Sequence, residues 1–512
     1  MGLAATPRTC EFAQHMNSTT HDPRGKRGPW SAVVSVLFGN LAITVPPMII
    51  YFALPDMMRA FSVGEDRIQW VATALQMASA GTMMMTTWLV RRFGQRVIYV
   101  ASALLLIAGS VVGALADTLW VAVAGRVMQG AAAGIIPALT MVTIVSVLPA
   151  RHLGLGMTIW GVGFAITAVI TPIVGGLLVE AFGWRSVFLA VIPIILPGLL
   201  LGMRYLPGRD ATDRAGAFDW LGLALLFAPV ACLLYLPTIG ALYGWSSLPA
   251  IVCMSTCVLG FVLLVAWQLK ARDPLFDIGL FRNRKFNASF LVALSYDVGM
   301  YGTLYLVPLY LQTVAGYSPS LSGSLVTWSG LAFLGLMMVS GPLCNFLPSH
   351  RVVFLGVSMF ALSCWLLTRT APATSYAFLL VALILSRAGA GTLLPSLNVL
   401  TVRVTEPSQH AAASVTINFA RIFGGAVGSF ALALFYDWRS LVHQAALGLP
   451  ATRDLLGLTG EALEHWQLAK TLAIRESFWV MTAMFAVTLI PAWLTRETGG
   501  TEAAAVPQPA DA

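Results

Sequence analysis

The chain has 512 residues, of which 58% are hydrophobic and only 10% are charged. A soluble domain carries about 25% charged residues, so these proportions exclude an ordinary water-soluble enzyme or binding module. The net charge of +8 does not point to nucleic acid, because the basic residues sit in short loops between apolar stretches, the pattern of the positive-inside rule.

Residues 1–30 contain no apolar run of the kind found in a cleavable leader and end on Arg24, Lys26 and Arg27. Apolar stretches long enough to cross a bilayer as helices then follow one another. The first six lie at roughly 31–54, 67–90, 97–116, 120–144, 153–177 and 184–203. Two more occupy 219–239 and 248–268, and a last six occupy 287–311, 321–344, 352–370, 375–400, 413–437 and 477–496. An even count of fourteen puts both termini on one side. The loops on that side collect Arg91, Arg92 and Arg96, then Arg204, Arg209, Arg214, Lys270, Arg272, Arg282, Arg284 and Lys285. That side is therefore expected to be the cytoplasm. The six cysteines show no CxxC pair or metal spacing. The long outer segment 438–476 contains EALEHWQLAKTLAI (461–474), with Leu463, Trp466 and Leu472 at near-helical spacing. It reads as a short amphipathic helix resting on the membrane, or else as a docking surface for a periplasmic partner.

An internal repeat runs through these stretches. GIIPALTMVTI (134–144) has a counterpart in TLLPSLNVLTV (392–402), and WLVRRFGQRVIYV (88–100) has one in PLCNFLPSHRVVFLG (342–356). The expected organisation is a tail at 1–30, a six-helix half at 31–204, an inserted pair of helices within 205–286, a second half at 287–496 that includes the outer loop 438–476, and a tail at 497–512. Two homologous six-helix halves about a midplane site are a transporter architecture. The fold class is thus an all-α membrane protein.

Several short patterns occur in order: ALP (53–55), QWVATA (69–74), WLVRRFGQR (88–96), RVMQGAAAG (126–134), WRSVFLAVIP (184–193), AFDWLGLALL (217–226), DPLFDIGLFRNRKF (273–286) and LVPLYLQTVAGYSPSLSG (306–323). With them the sequence resembles the major facilitator superfamily, and within it the fourteen-span drug:proton antiporter branch of the EmrB/QacA type. The resemblance implies that fold, with two six-helix halves plus two inserted helices, and transport driven by an ion gradient. It implies a tight turn at Gly94, with Arg92 and Arg96 holding facing helix ends, and a role for Arg126 in proton coupling. TPIVGG (171–176) is similar to the branch's antiporter motif, in which Pro172 kinks the fifth span and Gly175 and Gly176 permit close packing. Branch members in Gram-negative bacteria work with a periplasmic adaptor and an outer-membrane channel. The sequence departs from the branch at Pro46, where an acidic residue is usual, and at Thr87, Arg91 and Thr171.

The ninth stretch, FNASFLVALSYDVGMYGTLYLVPLYL, carries Asp297 midway along it. Asp56, Glu180, Asp219 and Asp437 lie at the ends of spans, where capping or interfacial water suffices. A charge at the bilayer centre costs about 2.5–3.5 kcal/mol on insertion scales, so Asp297 must face a cavity or a partner. Arg126 and Arg387 are the expected partners, on the fourth and twelfth spans. Burial makes any carboxyl hold a proton more readily, which sets proton and cation in competition for it. Tyr301 and Tyr305 share its helical face, and an acid flanked by aromatic rings suits a lipophilic cation. Gln76, Gln129, Asn398 and Arg387 are expected to add polar wall to the cavity. Asn418 and Arg421, in NFARIFGG (418–425), are read as interhelical hydrogen-bonding residues.

The expected function is a proton-coupled multidrug efflux transporter of the inner membrane that exports lipophilic, cationic compounds by alternating access. Its partners are the lipid bilayer, its substrates and protons, and not nucleic acid. A dedicated exporter of an endogenous metabolite or siderophore is the alternative, kept open because arginines outnumber acids at membrane depth. A membrane sensor or assembly factor without transport is a further one. No metal cluster, paired carboxylates, nucleophile with a base, or Walker loop is present in the sequence, so neither an enzyme, a cofactor nor ATP is expected.

Overall fold

The computed structural model describes residues 29–208, 218–244, 246–271, 275–276, 278–371, 374–406, 409–449 and 460–496. Residues 1–28, with Arg24, Lys26 and Arg27, the tail 497–512 and the loop residues Arg209, Arg214 and Arg272 lie outside the described residues. Every regular element among the described residues is helical.

The first apolar stretch forms two helices rather than one, α1 (Pro29–Thr44) and α2 (Pro46–Phe61). Pro46 and Pro47 have no N–H to donate, so the carbonyls one turn back lose their partners and the helix breaks at Val45. A short α3 (Glu65–Ile68) leads into α4 (Trp70–Phe93), and Gly94 turns the chain into α5 (Gln95–Ala114). Its φ of 87° lies in the region that favours glycine. The first half continues with α6 (Leu119–Val147), α7 (Ala150–Phe182), α8 (Ser186–Leu189) and α9 (Ile192–Tyr205). After the pair α10 (Trp220–Tyr243) and α11 (Leu248–Gln268), a 3-10 turn at Ile278–Arg282 precedes α12 (Arg284–Thr313). The chain then forms α13 (Pro319–Phe346), α14 (Ser349–Leu367), α15 (Tyr376–Val404), α16 (His410–Ala446) and α17 (Glu461–Leu494). Taking α1 and α2 as one span, 12 helical segments among the described residues are long and apolar enough to cross a membrane. Two further 24-residue helices, α4 and α10, stand where the second and seventh spans are expected.

The stretch 461–474 is not a separate helix lying on the membrane. It forms the first turns of α17, which has 34 residues and so is about 50 Å long at 1.5 Å per residue. Trp466, Ala469 and Ile474 are buried against protein, so their apolar face has no need of lipid. Helix α16, with 37 residues, is longer still, and Glu476 ties the two together by accepting from Arg439 and facing His443 at 3.1 Å.

The repeat seen in sequence recurs in the packing. Helix α6 packs on α4 and α5, and α15 packs in the same way on α13 and α14. Glycines sit at both crossings: a Cβ on Gly125 would lie 2.7 Å from the Gly109 carbonyl oxygen, and one on Gly389 2.8 Å from that of Gly356. Small residues at such crossings let helix backbones approach where lipid gives no hydrophobic drive. The pair α10–α11 leans across both halves, with Val230 and Leu234 clustered with Phe430, Trp70 and Met77. Asp219 ties this pair together, accepting from the Gly222 amide at 2.8 Å, Trp267 Nε1 at 2.7 Å and Gln268 Nε2 at 2.9 Å.

The face at which α1 begins is the near face and the opposite one the far face. Between the halves α7 packs on α13, α4 on α16 and α2 on α12, whereas α1 packs on α6, α7 and α9 of its own half. The α7–α13 seam is closest at its far end. A Cβ on Gly176 would meet the Pro319 carbonyl oxygen at 2.3 Å, and one on Gly323 the Pro172 carbonyl oxygen at 2.3 Å. At Gly330 the nearest atom, on Val169, is 3.3 Å away.

Candidate functional site between the halves

The seam ends in a narrow cavity lined by Met48 of α2, Val169 and Pro172 of α7, Leu304 of α12, Phe333 of α13 and Arg387 of α15. The Pro172 kink bears directly on this boundary. In a kinked helix amides near the proline lose their usual acceptors, and the Ile173 N–H here donates across the halves to Thr327 Oγ1 at 3.1 Å. Gly175 sits against Ile49 of α2 and Gly176 against α13. The expected close-packing residues thus form part of the far-face closure.

Three arginines lie at membrane depth, each in a different environment. Arg126 is 1% exposed. It donates from Nε to the Val71 carbonyl at 2.9 Å, from Nη2 to the Pro46 carbonyl at 2.8 Å and from Nη1 to Gln129 Oε1 at 2.9 Å. The Pro46 carbonyl belongs to the helix break, so a peptide dipole stands where the resembling branch places a carboxylate. Gln129 donates in turn to Ser110 at 2.9 Å and is fully buried between α6 and α5. It supports Arg126 inside the first half and does not form cavity wall, because both of its amide atoms are engaged there.

Asp297 is not paired with Arg126 or Arg387. Its partner is Arg421 of α16, with Nη2 3.6 Å from Oδ1. Arg421 also donates to Asn418 Oδ1 at 3.1 Å and stands 4.9 Å from the centroid of the Tyr296 ring. Gly424 permits this pairing, since a Cβ there would lie 2.2 Å from the Leu294 carbonyl oxygen of α12. The Asp297 side chain is 6% exposed and that of Arg421 17%, so the cation is the more open of the two. Periodicity alone could not name this partner, which depends on which face of α16 meets α12.

Arg387 is 2% exposed. Its Nη1 lies against the Met300 sulfur, while its Nε and Nη2 have no hydrogen-bond partner among the described residues.

The tyrosines form a chain between the halves. Tyr51 of α2 has its ring centroid 6.4 Å from those of both Tyr301 and Tyr305, and Gln76 Nε2 donates to its hydroxyl at 3.4 Å. Gln76 is therefore an interface residue, buried at 3% exposure, rather than open wall. Tyr51 was legible only as part of an apolar run. Asn398 is exposed and not brought together with this cluster. On the near face Arg96 Nε donates to the Leu206 carbonyl at 2.7 Å, reaching a facing helix end as expected, while Arg92 is exposed.

On the far face is a pair that the sequence reading did not single out. Glu65 of α3 and Lys470 of α17 meet at 2.6 Å, each 2% exposed, and join the two halves.

Comparison with known proteins agrees with this architecture. The family model for the Major Facilitator Superfamily matches residues 36–429 and, in a second match, 289–510. Multidrug resistance protein Stp of Mycobacterium tuberculosis is 27% identical over 397 residues, covering 77% of this chain and 74% of that protein. Multidrug export protein EmrB of Escherichia coli is 24% identical over 452 residues, covering 84% and 88%. Among solved structures, a bacterial homologue of the human lysosomal transporter Spinster aligns with a TM-score of 0.65 at 15% identity, over 93% of this chain and 98% of that one. A D-xylose–proton symporter aligns with a TM-score of 0.62 at 14% identity, over 91% and 97%. The chain belongs to the Major Facilitator Superfamily, among the relatives of the EmrB-type multidrug exporters.

Proposed function

We propose that this membrane transporter exports lipophilic compounds from the cytoplasm in exchange for protons, by rocking its two halves about the central cavity. The reading places the chain in the cell inner membrane, with the near face and both termini cytoplasmic. It takes 31–204 and 287–496 as the moving halves and 205–286 as the helix pair that spans their seam. The observation that carries proton coupling is the Asp297–Arg421 pair. A carboxylate whose cation is 3.6 Å away is held more loosely than the 2.7–2.9 Å of a tight charge-assisted bond.

A proton arriving on Asp297 from the far side, when that side is open, removes the charge that Arg421 answers. Loss of that attraction weakens the hold of α16 on α12. Closure of the α7–α13 seam then seals the far face, and release of the proton to the cytoplasm restores the ion pair. Substrate occupies the cavity in alternation with this event. For a Gram-negative host the resemblance adds a periplasmic adaptor and an outer-membrane channel, and the far-face ends of α16 and α17 are the surface that such an adaptor would meet.

The test uses everted vesicles energised by respiration, with a pH-sensitive dye recording proton release as lipophilic compounds are added. Wild type is expected to release protons and Asp297→Asn, at equal expression, is not. Normal release from the variant would make Asp297 a structural partner and remove it from the coupling step. The sequence reading gave the exported compounds a positive charge on the strength of Asp297 flanked by Tyr301 and Tyr305 on one helical face. The cation that faces Asp297 is Arg421 rather than the expected Arg126 or Arg387.

A further inference from the structure

Building on the exporter reading, we propose that Arg387 is an oxyanion anchor. The central cavity then selects amphiphiles that carry a carboxylate, sulfonate or phosphate on an apolar body, in preference to lipophilic cations.

The three buried arginines differ in what remains of their donor capacity. Arg126 spends its nitrogens on two carbonyls and Gln129, and Arg421 faces Asp297 and donates to Asn418, which leaves its Nε alone without a partner among the described residues. Arg387 has neither an acid nor a carbonyl on Nε and Nη2 among the described residues. These two nitrogens form one edge of the guanidinium plane, the edge whose parallel N–H bonds match an oxyanion bidentately.

The surroundings fit the rest of such a ligand. Met48 and Val169 from the first half and Leu304 and Phe333 from the second give the cavity apolar walls on both sides. A molecule held there touches both halves, as a transported substrate must. In this far-closed arrangement the cavity is about 10 Å³, room for one water at most. The ligand therefore enters when the halves part. An ionisable side chain at membrane depth points to a functional site.

The experiment uses the full chain in lipid nanodiscs, with empty nanodiscs subtracted. The probes are dansyl-undecanoic acid, its primary amide and the matching dansyl alkyl-ammonium, read by energy transfer from tryptophan. A charged hydrogen-bonded pair leads to the expectation that wild type prefers the acid to the amide roughly 10- to 100-fold. Arg387→Gln is expected to abolish that preference and Arg387→Lys to keep part of it. Wild type binding the amide or the ammonium as well as the acid overturns the proposal, and so does an unchanged preference in Arg387→Gln. Should the glutamine variant fail to fold, the wild-type ranking and the lysine variant decide alone. Proton release separates this inference from the exporter reading. Arg387-dependent binding of the acid without proton movement sinks the coupling and leaves the anchor. Proton movement evoked by the ammonium and not by the acid sinks the anchor and leaves the exporter.

Discussion

Replacing Glu65 with glutamine strikes the contact that joins the halves on the far face. Glu65 and Lys470 stand 405 positions apart in the chain, meet at 2.6 Å and are each 2% exposed. Removing one partner of a buried pair costs about 3–5 kcal/mol, because the other charge is left uncompensated. Here the stranded ammonium keeps the rings of Tyr436 and Trp466, at 5.2 and 5.3 Å, and a desolvated cation–π contact offsets about 2 kcal/mol. The remaining 1–3 kcal/mol falls on the closed arrangement alone, since parting the halves lets Lys470 hydrate. At 1.36 kcal/mol per decade this raises the far-open population roughly 5- to 150-fold.

The assay places one cysteine at Val326, which is 3% exposed at the edge of the cavity, in a background without native cysteines. Its rate of labelling by an impermeant maleimide is then measured from the far side. Glu65→Gln should accelerate labelling by that factor, and Glu65→Gln with Lys470→Met should return it toward the parent, because a buried pair replaced whole is close to neutral. Equal rates in the parent and Glu65→Gln would refute the reasoning. The pH dependence has a definite sign. Burial pushes the Glu65 carboxyl up, but the charge and hydrogen bond of Lys470 outweigh it and hold the group below the usual carboxylate range. The contribution of the pair is thus present above the ordinary carboxylate pKa and lost only as pH falls through the depressed value. Divided by the thiolate fraction of the probe cysteine, on which maleimide addition depends, parent labelling should be flat from about pH 8 to 5, and a rise in that ratio near pH 6 would show that Glu65 titrates where this argument says it does not.

Gly176→Ala puts a methyl group 2.3 Å from the Pro319 carbonyl oxygen, an overpacking worth about 1–3 kcal/mol. It should speed Val326→Cys labelling and lower transport without altering the Asp297 dependence. Arg126→Lys keeps the charge but cannot span two carbonyls and Gln129 at once. With charged hydrogen bonds contributing about 1.5–3 kcal/mol each, the variant should unfold at a lower temperature in detergent, and an unchanged midpoint would show that these three bonds do not stabilise the fold.

How much of this was legible in the sequence depended on whether a signal was local or required two helices to meet. Gly94, Pro172 and Gly176 declare themselves because a turn, a kink and a notch are properties of one segment. The apolar spans and the repeat are local in the same sense, and the packing of α15 on α13 and α14 repeats that of α6 on α4 and α5. The stretch 461–474 misled because amphipathicity says only that one side needs cover, and α16 supplies the cover that the membrane surface was expected to give. The partner of Asp297 was misassigned for a related reason. Arg126, Arg387 and Arg421 are equivalent in a linear reading, and only the approach of α16 at Gly424 selects Arg421. Glu65 and Lys470 were invisible because each lies in a segment that reads as an exposed loop or helix end.

The first departure from the branch pattern supplies the last step. An acid at position 46 would stand beside Arg126 as its counter-charge. With proline there, the break in the first span offers a carbonyl instead, and Arg126 takes it at 2.8 Å. That substitution shifts the electrostatics of the whole interior. One carboxylate then serves three guanidinium groups: Arg421 engages it, Arg126 settles for peptide dipoles, and Arg387 is left facing apolar walls. A buried cation in that position is stable only while water reaches it or an anion answers it. Restoring the acid with Pro46→Asp is therefore the reciprocal experiment. It should give Arg126 a charged partner and leave Arg387 as it was, while Pro47 keeps the helix break, so a dansyl-undecanoate preference that survives the change would locate the anion site at Arg387 and not at Arg126.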